Sequence, residues 1–156
     1  MNAWMTPEAF CWLYAAGCVD AKEHEIDAID FKFLKDCIER GNKPPDDMIR
    51  RVFHRPFEAL DDQCVLEEMH AYWREMHLDN MEENTPVFRA VVSLAQRVPS
   101  FPEGAWYSVW YVHPKTKCPV ERPLVHNVHG YDVKEGTIVY IHGNIIAEVT
   151  DEEPKL

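Results

Sequence analysis

The stretch TPVFRAVVSLAQRVPSFPEGAWYSVWYV, residues 85–112, decides the fold, because the pattern of apolar residues changes inside it. Thr85-Pro86 is a helix-start phrase, a hydroxyl cap followed by a proline at the first helical position. Val87, Phe88, Val91, Val92, Leu94, Ala95 and Val98 then recur at spacings that predict a helix buried over a wide face and closed by Pro99 and Pro102. Beyond Gly104 the residues turn β-branched and aromatic, which predicts a strand from about Ala105 to Val112. Helices before this point and strands after it predict an α+β fold, since the alternating units of a parallel sheet are missing.

Upstream, Thr6-Pro7-Glu8 starts a helix that runs to about Ala16, with Phe10, Leu13 and Tyr14 on its core stripe and Trp12 off it. Ile26, Ile29, Phe33, Leu34, Cys37 and Ile38 predict a second helix that stops at Gly41. A short third one carries Met48, Ile49, Val52 and Phe53 and ends at Arg55-Pro56. In a fourth, Val65, Leu66, Met69, Tyr72, Trp73 and Met76 fall within an arc of roughly 120°. Its cap is Asp61 or Asp62 and its end lies near 78–80.

Downstream, Pro114, Pro119 and Pro123 leave room for only a short edge strand around Leu124 to Val128. Thr137 to His142 and Asn144 to Thr150 flank Gly143-Asn144 as the arms of a hairpin. The expectation is a single domain of 156 residues: about five helices over 1–100, a small antiparallel sheet of three or four strands packed with them over 101–150, and a polar tail over 151–156.

An apolar fraction of 46% supports a folded core, and no apolar run approaches the ~18 residues of a membrane span. The first residues lack the basic segment of a secretory leader, so a soluble, unprocessed, cytoplasmic protein is expected. Five scattered cysteines, an odd number, fit a reducing compartment better than a disulfide framework. The formal charge is −11, and residues 58–83 hold nine acids against Arg74 alone. This balance disfavours direct binding of nucleic acid. It predicts instead a protein partner with a basic surface, met by Glu67, Glu68, Glu75 and Asp79.

Alternation along the first strand puts Trp106 and Trp110 on one face with Ser108, and Tyr107, Val109 and Tyr111 on the other. One face belongs to the core; the other, if no helix covers it, is an aromatic platform for a partner. His70 and His77 stand two turns apart on the fourth helix, too far to share a metal, and read as residues at the border of its apolar arc, hydrogen-bonded to Glu67 or to water. His113, Cys118, His126 and His129 are four potential metal ligands within 17 residues, though their spacing is irregular. The same segment offers a hydrolase-like set: Cys118 as nucleophile, His126 or His129 as base, Asp132 as orienting group. No nucleophile elbow, phosphate-binding glycine loop or dinucleotide fingerprint accompanies it, and no cofactor is expected. The pattern therefore favours a non-enzymatic interaction protein over a small enzyme.

The phrase Thr6-Pro7-Glu8-Ala9-Phe10-Cys11-Trp12-Leu13, with a following helix that ends Phe33-Leu34-Lys35-Asp36, resembles a group of small bacteriophage proteins of unknown function. The likeness covers about residues 6–36, with Trp12-Leu13 one place closer to Phe10 than in that group. It implies phage or prophage origin and a host cytoplasm, and it supplies no catalytic residue.

Overall fold

The computed structural model describes residues 5–61, 63–83, 85–96 and 106–151, with the backbone alone over 94–96. Asp62 as a cap, the closing prolines Pro99 and Pro102, the strand start at Ala105 and the tail 152–156 lie outside the described residues. The chain divides into two compact units, Met1–His77 and Leu78–Leu156. Among the described residues no helix is long and apolar enough to cross a membrane.

The first unit is helical. Helix α1 (Pro7–Ala15) starts as its sequence dictates: the Thr6 hydroxyl accepts from Ala9 N at 3.0 Å and Pro7 needs no amide partner. Its burial is wider than a single stripe, because Trp12 is buried with Phe10, Cys11 and Tyr14 and rests against Phe53 at 6.0 Å. Two 3₁₀ turns, Ala16–Cys18 and Asp20–Lys22, lead to α2 (Ala28–Arg40). That helix buries only Leu34 and Cys37; the expected core positions Ile29 and Phe33 are 81% and 45% exposed.

With so little burial, α2 depends on its ends. The Asp27 carboxylate accepts from Ile29 N at 2.9 Å, and Gly41, at φ 69°, closes the other end as Asn42 N donates to Cys37 O. Asp27→Ala should therefore cost about 1 kcal/mol, read as faster amide exchange confined to α2. Exchange unchanged along α2 would contradict that dependence.

Helix α3 (Asp46–Val52) is followed directly by α4 (His54–Leu60), which the sequence reading missed. Arg55-Pro56 opens this helix rather than ending the previous one, since a proline in the first turn displaces no helical hydrogen bond. Helix α5 (Leu66–Ala71) continues as a π turn, Tyr72–Met76. Its N-cap is Val65 rather than Asp61, and the Glu68 carboxylate accepts from Val65 N at 3.1 Å, half of a capping box. Met69, Tyr72 and Trp73 are buried as expected, whereas Val65 and Met76 are more than half exposed.

The second unit corrects the reading of residues 87–98. Val87–Gln96 is a strand, β1, and not a helix; the inward residues Phe88, Ala90 and Val92 follow a period of two. With β2 (Trp106–Val112), β3 (Pro119–His126), β4 (Ile138–His142) and β5 (Ile145–Thr150) it forms a closed barrel in the order β1-β2-β3-β5-β4. The sheet thus has five strands, not three or four, and it is mixed: β3 meets β5 in parallel at His126 and Ile145. The edge strand expected at 124–128 lies earlier, at Pro119–His126.

Strand β1 pairs with β4 over Val87 to Val91 and with β2 from Val91 onward, and a bulge at Ser93 helps it bend between them. Phe88, Ala90, Val92, Tyr107, Val109, Tyr111, Val125, Val139, Ile141 and Ile146 fill the barrel. The segment 127–137 packs on the barrel, where Tyr131 donates to Ala147 O at 2.7 Å, Tyr107 donates to Val133 O and Gly136 N donates to Val92 O. Gly143, at φ 61°, turns β4 into β5 as the hairpin reading expects.

Candidate partner-docking face

Because Tyr107, Val109 and Tyr111 fill the barrel, the alternate residues Trp106, Ser108 and Trp110 lie on the outer side of β2. Each outer residue meets a defined neighbour. Trp110 stands opposite Glu121 on β3 and Val91 on β1, while Trp106 stands opposite His126 and stacks on its ring at 4.4 Å with 12° between planes. Ser108, midway, is buried and donates to the Glu121 carboxylate at 2.8 Å. A carboxylate is therefore fastened between two partly exposed indoles.

The pairing of β2 with β3 shifts between Tyr107 and Val109, which sets Pro123 and Leu124 together against Ser108, one extra residue on β3. Leu124 takes φ 58° there and is 43% exposed. A left-handed leucine costs about 1–2 kcal/mol, and bulges of this kind re-aim side chains beside working surfaces.

The other candidate residues are dispersed. Glu67, Glu68 and Glu75 are exposed on α5 and its π turn, but Asp79 belongs to the second unit, so the four do not share one helix face. Asp79 has φ 55°, and burial pushes its carboxyl up against the opposing pull of Arg89 and Lys117. Arg50 and Arg51 of α3 pair with acids outside the 58–83 run: Arg50 reaches Glu8 at 3.4 Å and Arg51 reaches Asp30 at 2.6 Å, which holds the Asp30 carboxyl low. His70 packs on Phe10, and His77 is buried between Tyr72 and Trp73 with its Nδ1–H donating to Tyr72 O. His77 is thus buried and bonded to a backbone carbonyl, not set at the border with Glu67 or water for a partner.

The metal quartet and the hydrolase set do not assemble. Cys118 precedes β3 and His126 ends it, and eight extended residues hold the two about 20 Å or more apart. His129 and Asp132 follow His126 at the far end. His113 stays near Cys118, but its Nδ1 accepts from the amides of Lys115 and Thr116 and serves the β2–β3 turn. Among the described residues no group of three or more His, Cys, Asp or Glu side chains could hold a metal ion.

Cys118 is nonetheless the exposed thiol, while Cys11, Cys37 and Cys64 are buried and burial pushes all three thiols up. Cys18, partly covered, is pushed up to about 11 by the same cause. A thiol reagent applied to the native protein should label Cys118 first, and Cys118→Ser should remove the fast phase. Equal labelling of Cys11 would contradict the packing of α1.

Strand β3 explains why Glu121 is missed from the sequence: the prolines on either side of it read as loop up to Leu124, so nothing sets Glu121 opposite Trp110. The signal was the pair Pro119 and Pro123, spaced to occupy a strand start and a bulge. Comparison of the chain with models of protein families, with curated proteins and with solved structures gives no match.

Proposed function

We propose that this chain is a non-enzymatic interaction protein whose barrel receives a segment of a partner protein across the outer face of β2 and β3. The observation that carries this reading is the set Trp106, Ser108, Trp110 and Glu121: two indoles on one strand face with a fastened carboxylate between them. Indoles concentrate binding energy at protein interfaces, and a side chain already held in place loses little entropy when a partner arrives. The exposed, strained Leu124 beside them adds apolar area at a backbone cost that core packing alone does not explain.

The strand order, with β3 and β5 parallel, is also that of OB-type five-stranded barrels, in which the β2–β3 face carries ligands. That is a likeness of connectivity alone. The usual nucleic-acid ligand is disfavoured by charge, since residues 78–156 hold seven Lys and Arg against eleven Asp and Glu. Residues 1–77, with nine against sixteen, add negative potential that would draw a basic partner from solution. The likeness of residues 6–36 to bacteriophage proteins supports a bacterial host as the setting.

The test is affinity capture from bacterial lysate with three forms of the protein: native, Trp106→Ala with Trp110→Ala, and Glu67, Glu68 and Glu75 all changed to Lys. Loss of the captured protein with the double tryptophan variant, its fold verified by amide spectra, supports the sheet face. Capture lost only with the lysine variant moves the site to α5, and capture that both variants retain refutes both surfaces.

A further inference from the structure

We infer that the docked segment is an extended peptide with a lysine or arginine at its centre and an apolar or aromatic residue two positions away on each side. This inference rests on the docking reading above and specifies its ligand. Trp106, Ser108 and Trp110 are alternate residues of one strand, so the two indoles lie about 13 Å apart with the Glu121 carboxylate near the midpoint. An extended peptide lying along β2 repeats at the same period. Its residues i and i+4 meet the indoles, and its residue i+2 meets the carboxylate.

The chemistry of the midpoint selects a cation. Glu121 is exposed, and one of its oxygens accepts from Ser108, which stops the side chain from swinging away. Its second oxygen can take a charged N–H, and an indole ring attracts a cation to its face where it would repel an anion. A phosphodiester chain would bring its own negative charge against this carboxylate. A sugar chain offers stacking but no positive charge to answer it. Leu124 widens the apolar flank on the Trp106 side, and the His126 ring holds the Trp106 indole in place.

Addition of a partner strand to the barrel edge fits less well. The edge of β3 carries Pro119 and Pro123, which supply no amide hydrogen, and the Arg122 guanidinium spans from it to Gly143 O at 2.9 Å. The side-chain face is the part of β3 suited to recognition.

The experiment uses the whole protein and short capped peptides, read by the indole N–H resonances of Trp106 and Trp110. The probe is a nine-residue peptide with arginine at its centre, leucine two positions away on each side and serine elsewhere. It should shift both indole signals saturably. Glutamine in place of arginine, or Glu121→Gln in the protein, should weaken it at least about ten-fold, the value of a lost charge-assisted hydrogen bond. Glu121→Gln keeps an oxygen for Ser108, so the fold is not at stake.

Added salt should weaken the arginine peptide and leave the glutamine peptide unchanged. The inference is overturned if both peptides bind equally, if neither shifts the indoles, or if a cello-oligosaccharide or single-stranded oligonucleotide shifts them instead. Partner capture that still requires Trp106 and Trp110 would, after equal or absent peptide binding, leave the docking face standing and remove only the basic centre.

Discussion

Trp73→Ala should cost the helical unit about 3–5 kcal/mol, a large fraction of the stability of a unit this size. The indole is buried and lies at 5.3 Å over the Tyr14 ring with only 5° between planes, while Tyr72 meets it edge-on at 5.1 Å and His77 packs at 4.8 Å. Removing it takes away the ring that joins α1 to the end of α5 and leaves a hole lined by three other rings. Those rings cannot collapse into the space, because Tyr14 is fixed in α1 and Tyr72 in the π turn.

The π turn explains why Trp73 carries so much. Hydrogen bonds from i to i+5 widen the turn, so Met76, which a 3.6-residue period returns to the core, is rotated out to 56% exposure. His77, five residues after Tyr72, takes its place inward. Trp73→Phe keeps a ring over Tyr14 and should cost less than half as much. Urea denaturation combined with amide exchange at Phe10, Leu34 and Ile49 reads the effect in the helical unit itself. A loss below about 1 kcal/mol for Trp73→Ala would contradict this account.

Much of the fold was legible where a local signal coincided with burial. Thr6-Pro7-Glu8 starts α1, Gly41 stops α2, and Gly143-Asn144 turns β4 into β5, because each rests on backbone chemistry within a few residues. The alternation of β2 placed Trp106, Ser108 and Trp110 on one side for the same reason. What misled was β1. Its outer residues Val87 and Val91 are as apolar as its inner residues Phe88, Ala90 and Val92, so the pattern filled a helical template, and Thr85-Pro86 imitated a cap. A strand that bends to serve two neighbours gives up clean alternation. Three β-branched residues among its first six favoured the strand, a preference that the apolar spacing outweighed.

The rest of the site was hidden for a different reason. Glu121 matters because it stands opposite Trp110 and reaches Ser108, and register between strands 13 residues apart is set by the barrel as a whole. Closure through one parallel bridge between His126 and Ile145 leaves no mark in either segment. The cysteine and histidine cluster shows the converse error. Residues near in sequence were read as near in space, and an extended strand, the least compact way to use eight residues, separates them.

The barrel has its own critical aromatic residue. Tyr111→Ala should cost about 3–5 kcal/mol, because the buried ring stacks on Phe88 at 4.2 Å, and the Arg122 guanidinium lies 5.5 Å from its centre. Arg122 in turn donates to Gly143 O at 2.9 Å and to the Tyr111 hydroxyl at 3.4 Å, so one cation ties β2, β3 and the β4–β5 turn together. Backbone pairing between β3 and β5 is limited to the bridge at His126 and Ile145, which makes this side-chain tie part of the closure. Tyr111→Phe loses only a long hydrogen bond and should cost about 0.5–1.5 kcal/mol.

Arg122→Lys should fall between the two tyrosine variants, since an ammonium keeps the charge but lacks the planar fork that serves two acceptors while lying over a ring. Amide exchange at Val109, Val125 and Ile146 separates this loss from any change in the helices. If Tyr111→Phe proved as damaging as Tyr111→Ala, the hydroxyl and not the stacked ring would hold the barrel shut. Arg122→Lys would then have to be at least as severe, because the same hydrogen bond fails from its other end.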